Sequence, residues 1–266
     1  MSDYPCLTVL ISTKDDGIFK LKKTVSLQYP EICYLIIHQT KKQVKLPEFL
    51  KREDIKVIST STTGLSKSRN IAIKNCYTDY GLIADDDIEY IPEGIERVIK
   101  IIKTEKPDFA TFKIKTLEGE PEYKNYAERS FNIAQEFHHY YSSIEILLNV
   151  KLLKKKKIYF DHRFGLGTKI NAAEESILIY DMVTNNLVGN YYSIYIVIHP
   201  FDSSGKQNRG QNLKIFIKGA LAARTKNFNH KIKGNTKLRK ILNYCIYYYG
   251  FFYIKFKLPD FLMLLK

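Results

Sequence analysis

The sequence predicts an α/β fold in which a mostly parallel mixed sheet is covered by helices on both faces. Three observations carry that prediction: apolar runs of strand length recur, segments of helical periodicity separate them, and glycine or proline marks the joins. A parallel sheet covered on both sides needs strands that are apolar throughout. Leu7 to Ile11, Cys33 to Ile37 and Ile55 to Ile58 read that way.

Taken in order, Leu7-Thr8-Val9-Leu10-Ile11 gives way to polar residues from Ser12 to Gly17, the mark of a buried strand ending in a turn. Ile18, Leu21 and Val25 then share one face of an expected helix that Pro30 ends. After the next two strands, Gly64-Leu65-Ser66 opens a helix to about Cys76, and Gly81 to Ala84 forms a strand that stops at three aspartates. Pro92 starts another helix, in which Ile95, Val98, Ile99 and Ile102 follow the spacing of one buried face before Pro107 closes it. Phe109 to Thr116, Ile144 to Val150 and Leu187 to His199 read as strands, and Glu174 to Val183 as a helix. Lys154 to Lys157 read as a solvated turn. Residues 1–205 are expected to form one domain and residues 206–266 a basic, aromatic-rich C-terminal extension.

Composition narrows the setting. With 266 residues, 45% of them hydrophobic, the chain can bury a substantial core. Cys6, Cys33, Cys76 and Cys245 are scattered without a C-x-x-C pair, which suits a reducing compartment and suggests neither a zinc site nor a disulfide framework. Met1-Ser2-Asp3-Tyr4-Pro5 lacks a basic start followed by an apolar run, so a cytoplasmic location is expected. A net charge of +14 calls for an anionic partner, and nucleic acid, lipid and phosphorylated small molecules all qualify.

Asp85-Asp86-Asp87 directly follows Leu82-Ile83-Ala84. Along an extended chain alternate residues point the same way, so Asp85 and Asp87 are expected to converge while Asp86 turns aside. A hard divalent cation with oxygen ligands, itself bound to substrate phosphates, would relieve the repulsion among them. Together with Gly64-Leu65-Ser66-Lys67-Ser68-Arg69-Asn70-Ile71-Ala72-Ile73, this segment resembles the paired motifs of the inverting family 2 glycosyltransferases of GT-A fold. The resemblance implies a nucleotide-sugar donor, a UDP-sugar in the first instance, with Asp85 and Asp86 near its ribose and diphosphate. It further implies Asp87 as ligand of manganese or magnesium, and Arg69 facing the nucleotide. Thr13-Lys14-Asp15-Asp16 resembles the loop that cradles the base, implicating Thr13 and Asp15. Where the family often carries Asp-Asp-Gly-Ser after its second strand, this chain has His38-Gln39-Thr40, and Gln39 could offer an amide to a uracil edge or serve only as a polar loop residue.

Phe160 to Gly167 and the pair Glu174-Glu175 resemble the family's acceptor loop and the acidic pair behind it. The resemblance implies that one carboxylate, assigned to Glu175 with Glu174 as the alternative, removes the proton from the attacking hydroxyl of a glycan or lipid-linked acceptor. Read alone, the pair would equally suit the positive end of a helix. His199, at the end of a strand, reads as a metal or diphosphate ligand or as a satisfied loop histidine, and the loop through Arg209 as a segment able to close over the donor. Basic residues from Lys237 beside the tyrosines and phenylalanines of Ile241 to Ile254 suit the inner face of an anionic membrane, an oligomer contact or an ordinary core helix. The expected activity is sugar transfer with inversion in surface polysaccharide synthesis. A sugar-phosphate nucleotidyltransferase would need a glycine-rich phosphate loop after the first strand, which is missing. A basic nucleic-acid-binding protein would leave the aspartate triplet and the acidic pair unexplained, since both repel phosphate backbones.

Overall fold

The computed structural model describes residues 5–136, 140–202, 210–226 and 237–256. Among them, strands β1 (Leu7–Lys14), β2 (Ile32–Gln39), β3 (Ile55–Thr60), β4 (Tyr80–Ala84), β5 (Glu89–Tyr90), β6 (Phe109–Lys115), β7 (Phe131–Asn132), β8 (Ile146–Asn149) and β9 (Gly189–Ile198) join in one sheet. Its order is β3-β2-β1-β4-β8-β6-β9-β5, with β7 paired to β9. The β1–β2, β2–β3, β1–β4 and β6–β9 ladders are parallel, and β8 runs antiparallel between β4 and β6.

Helices α1 (Leu65–Asn75), α2 (Pro92–Thr104) and α4 (Glu174–Thr184) follow the alternation read from the sequence, whereas α3 (Val150–Lys156) is a helix that the reading did not contain. Successive strand residues alternate between two cores, as a two-fold strand period requires. Val9, Ile11, Ile36 and Leu82 pack with Ile95, Val98, Ile99 and Ile102 of α2. Leu10, Leu35, Ile37 and Ile83 pack with Ala72 and Ile73 of α1 and with Leu178, Ile179 and Met182 of α4. Each such aliphatic side chain contributes roughly 1.5–3 kcal/mol by leaving water, which is why the pattern fixes the sheet's register.

Several expectations change. The segment carrying Ile18, Leu21 and Val25 buries all three, yet it is a short 3-10 helix, Asp15–Lys20, followed by a turn. β3 is an edge strand and only partly buried, so its apolar run does not report burial on both faces. The lysines from Lys154 close α3, with Lys157 left-handed at its cap and the Lys154 ammonium donating to the carbonyl of Cys76 at 2.6 Å. A helix C-terminus welcomes such cations.

Two further helices, α5 (Gln211–Thr225) and α6 (Lys237–Phe256), form a pair. Their backbones touch, because a Cβ on Gly219 would lie 1.9 Å from the carbonyl oxygen of Tyr247 and one on Gly250 would lie 2.1 Å from that of Phe216. The pair shares a third core with Phe164, Ile170 and Ile177 of the preceding region. Arg224 of α5 adds ion pairs to Asp161 at 2.9 Å and Asp181 at 2.6 Å. No helix among the described residues is long and apolar enough to cross a membrane.

Candidate active site

At the carboxyl ends of β1 and β4 lies a cavity of about 750 Å³, where ligands of open α/β sheets bind. It is lined by Thr13, Gln39, Arg69, Asp85, Asp86, Asp87, Glu174, Glu175 and His199. Asp15 is not among the lining residues; its side chain is exposed, 3.9 Å from Lys14, and its carbonyl oxygen contacts the His38 ring.

α1 organises one wall of the cavity. Ser68 of α1 donates to Ser12 of β1 at 2.9 Å, and Asn70 both donates to and accepts from the backbone of Phe160, pinning the loop that precedes α4. Ser66 donates to the carbonyl of Phe164 at 2.6 Å. Gly165 next to it has φ 102° and faces Glu174 so closely that a Cβ would sit 3.0 Å from the carboxyl carbon, which leaves glycine as the residue that fits.

Arg69 is the hub. Its guanidinium donates to Glu175 at 3.0 Å, to Glu174 at 3.3 Å and to Asp85 at 3.2 Å, and lies over the ring of Phe160. Burial alone would lower its pKa, but the three carboxylates outweigh burial and hold it charged. Glu175 is pushed the other way: burial first, then the charge of Glu174, raise its pKa above the usual carboxylate range despite Arg69. Ala173, immediately before the pair, is left-handed at φ 73°. That conformation costs a non-glycine residue roughly 1–2 kcal/mol, and it turns the chain into α4 where both carboxylates reach Arg69.

The strand ends at Ala84, so the aspartates stand on a turn and not along an extended chain, and each has its own partners. Asp85 accepts from Arg69 and from Ser143 at 3.1 Å. Asp86 accepts from Thr13 at 2.6 Å, and burial raises its pKa. Asp87, the most exposed, lies 3.4 Å from Nε2 of His199, whose proximity lowers its pKa. His199 is itself buried, which lowers its pKa, but Asp87 and the Pro200 carbonyl outweigh burial and raise it. Gln39 is also buried and donates to the carbonyl of Gly64 at 3.2 Å.

Ser143, Tyr123, Tyr140 and Tyr141 line the cavity from the segment between β6 and β8, and Lys214 and Lys218 line it from α5. The sequence reading missed all of them. Lys214 and Lys218 carried one signal, their four-residue spacing with Ile217 and Leu221 alongside, whereas a serine and three tyrosines in a long irregular segment carry none. The loop expected to close over the donor falls mostly at residues 203–209, outside the described residues.

The profile of Glycosyl transferase family 2 matches residues 35–173, just over half of the chain. No curated protein matches in sequence. Similar solved structures include residues 1–349 of S. aureus TarS at 16% identity, with TM-score 0.60 over 95% of this chain and 72% of that one. The same protein in complex with UDP matches at 15% identity and TM-score 0.59, over 97% and 74% of the two chains. In complex with UDP-GlcNAc it matches at 17% identity and TM-score 0.61, over 95% and 73%. At such identities the likeness speaks for the fold, while the profile match speaks for the family: the chain belongs to glycosyl transferase family 2 and is a glycosyltransferase of GT-A fold.

Proposed function

We propose that the chain moves a sugar from a UDP-sugar to a hydroxyl of a glycan or lipid-linked acceptor, with inversion at the anomeric carbon, in the building of a surface polysaccharide. One observation carries the reading. A single cavity is lined both by the aspartate triplet and by Glu175, a carboxyl whose raised pKa suits a proton acceptor. The choice of UDP is supported by TarS, a protein of similar fold solved with UDP and with UDP-GlcNAc.

Glu175 accepts the acceptor's hydroxyl proton as that oxygen bonds to the anomeric carbon. The bond to the diphosphate breaks, and its electron pair leaves with the phosphate. Arg69 holds Glu175 and Asp85 in fixed relation, so the proton acceptor and the donor-side carboxylate are oriented together. Thr13, Asp86 and Gln39 line the nucleotide side, and Lys214 and Lys218 offer cations to the phosphates. Asp87 and His199 fit a divalent ion: Nδ1 of His199 contacts the Pro200 carbonyl at 2.6 Å, leaving Nε2 toward Asp87. Among the described residues no group of three or more His, Cys, Asp or Glu side chains could hold a metal, so an ion at Asp87 and His199 would need substrate phosphates to complete its ligands. Manganese or magnesium held there would neutralise charge on the departing diphosphate.

The α6 helix supports a membrane-bound acceptor. Tyr244, Tyr248, Phe252 and Phe256 are exposed on it, alongside Lys240 and Lys255, an arrangement suited to the inner face of an anionic bilayer.

A thermal-shift assay with UDP and Mn²⁺, followed by a screen of UDP-sugars for UDP release, tests the donor and metal roles. Asp87→Ala is expected to abolish the metal-dependent shift and to stop transfer while the protein remains folded. Retention of both overturns the metal assignment, and a wild-type protein that neither binds UDP nor consumes any UDP-sugar overturns the donor.

A further inference from the structure

Beside the main cavity lies a second one of about 400 Å³. Tyr123, Tyr140 and Tyr141 line both, so these three residues form a common wall. The turn behind that wall serves both sides. Ser143 holds Asp85 in the main cavity, and two residues later Glu145 anchors the second.

The second cavity combines aromatic faces with one buried ion pair. Tyr126 lies stacked with Tyr191, their centroids 6.4 Å apart, and Phe131 with Tyr191 at 4.8 Å. Lys124 donates to Glu145 at 2.6 Å, with both side chains at most a tenth exposed. Glu145 also accepts from the Tyr126 hydroxyl at 2.9 Å and from the backbone N–H of Ser142 at 3.0 Å. The Lys124 ammonium has three donors, of which Glu145 takes one. The faces of Tyr140, at 4.8 Å, and Tyr126, at 5.9 Å, flank it.

These features discriminate among ligands. A phosphate or carboxylate would meet a cation already neutralised by Glu145, and would have to approach that carboxylate. An acyl chain would cover the Lys124 ammonium without offering a hydrogen bond to the donors that Glu145 leaves over, and a buried charged donor without an acceptor is disfavoured. A neutral pyranose ring answers both conditions. Its C–H face carries slight positive charge and suits the negative face of a tyrosine ring, and its hydroxyls can both donate to and accept from a lysine–glutamate pair. The volume lies within the ~300–1,000 Å³ of ordinary small-molecule sites.

We propose that this second cavity is an acceptor subsite, in which Tyr140 and the Lys124–Glu145 pair hold a neutral pyranose residue next to the sugar that receives the transfer. The proposal rests on the sugar-transfer reading of the main cavity and adds to it a requirement for an acceptor of more than one residue. Lys124 and Tyr140 are positioning residues, distant in role from the proton transfer at Glu175.

Saturation-transfer NMR on the full chain tests the subsite, using methyl glycosides of neutral hexoses, 6-deoxyhexoses and N-acetylhexosamines, with methyl glucuronide and uridine as comparisons. At least one neutral glycoside is expected to bind saturably. Tyr140→Ala should weaken it ~10-fold and Tyr140→Phe should preserve it, since the ring face and not the hydroxyl does the stacking. Tyr140 is largely exposed, so its replacement leaves the core intact. Absence of binding by every neutral glycoside overturns the subsite, as does preference for the glucuronide, displacement by uridine, or binding unchanged in Tyr140→Ala. UDP protection of the wild type against thermal unfolding, measured separately, reports on the donor reading alone, so the two can fail independently.

Discussion

Glu175 sits where its own ionisation is disfavoured, and that has two opposite consequences. As a base it must be deprotonated, so transfer is expected to fall on the acid side of a pKa raised above the ordinary 4.5, moving the acid limb of the rate profile toward neutrality. For stability the sign reverses. The folded chain keeps the Glu175 proton to higher pH than the unfolded chain, so this residue lowers stability as pH rises from 4.5 through the raised value. Glu175→Gln should therefore cut transfer by ~10²–10⁴-fold while leaving UDP binding in place and raising Tm, with the gain growing as pH increases. A purely helix-capping Glu175 would give the reverse, a loss of ~0.3–1 kcal/mol with turnover nearly intact. Glu174→Gln is the comparison. If it damages transfer more than Glu175→Gln does, the base lies one residue earlier.

The α5–α6 crossing is set by two glycines, and its tightness is measurable. Gly219→Ala would drive a methyl into the Tyr247 carbonyl, so the helices must part. Overpacking of this kind costs ~1–3 kcal/mol. Because Lys214 and Lys218 reach the cavity from α5, the same change should weaken UDP binding as well as lower Tm; a Tm loss with unaltered UDP affinity would show that these lysines do not meet the nucleotide. Elements with long local periodicity were legible in the sequence. α2 was legible from Pro92 and its run of Ile95, Val98, Ile99 and Ile102, and β1, β2 and β6 from their apolar runs, although β1 continues through Ser12, Thr13 and Lys14, which read as a turn, and β2 through His38 and Gln39. What escaped was decided by distant contacts. β5 and β7 are two residues long and exist only through pairing with β9, and Ile55 to Ile58 resemble a central strand although β3 has a neighbour on one side alone.

For the molecule as a whole, the outward stripe of α6 and the net charge of +14 predict salt-sensitive attachment to anionic vesicles. Sedimentation with phosphatidylglycerol-containing liposomes should fall as salt rises, because the Debye length shortens to ~8 Å at physiological ionic strength. Replacing Tyr248 and Phe252 by serine should reduce binding at every salt concentration. A concentration-dependent dimer that these serines dissolve, without vesicle binding, would assign the stripe to a second copy instead. Motif order made Asp85, Asp86, Asp87, Arg69 and the acidic pair legible as one group, and they do line one cavity. Their individual partners were not legible. Nothing local in the sequence links Ser143 to Asp85, or tells that Arg69 would be engaged by three carboxylates from two elements. That arrangement carries a mechanical consequence. One flat guanidinium fixes how far Glu175 stands from Asp85, so under the proposed roles it acts as a ruler for the reaction. Lysine carries the same charge but not the same width, and an enzyme with lysine at position 69 would have lost its scale while keeping its sign.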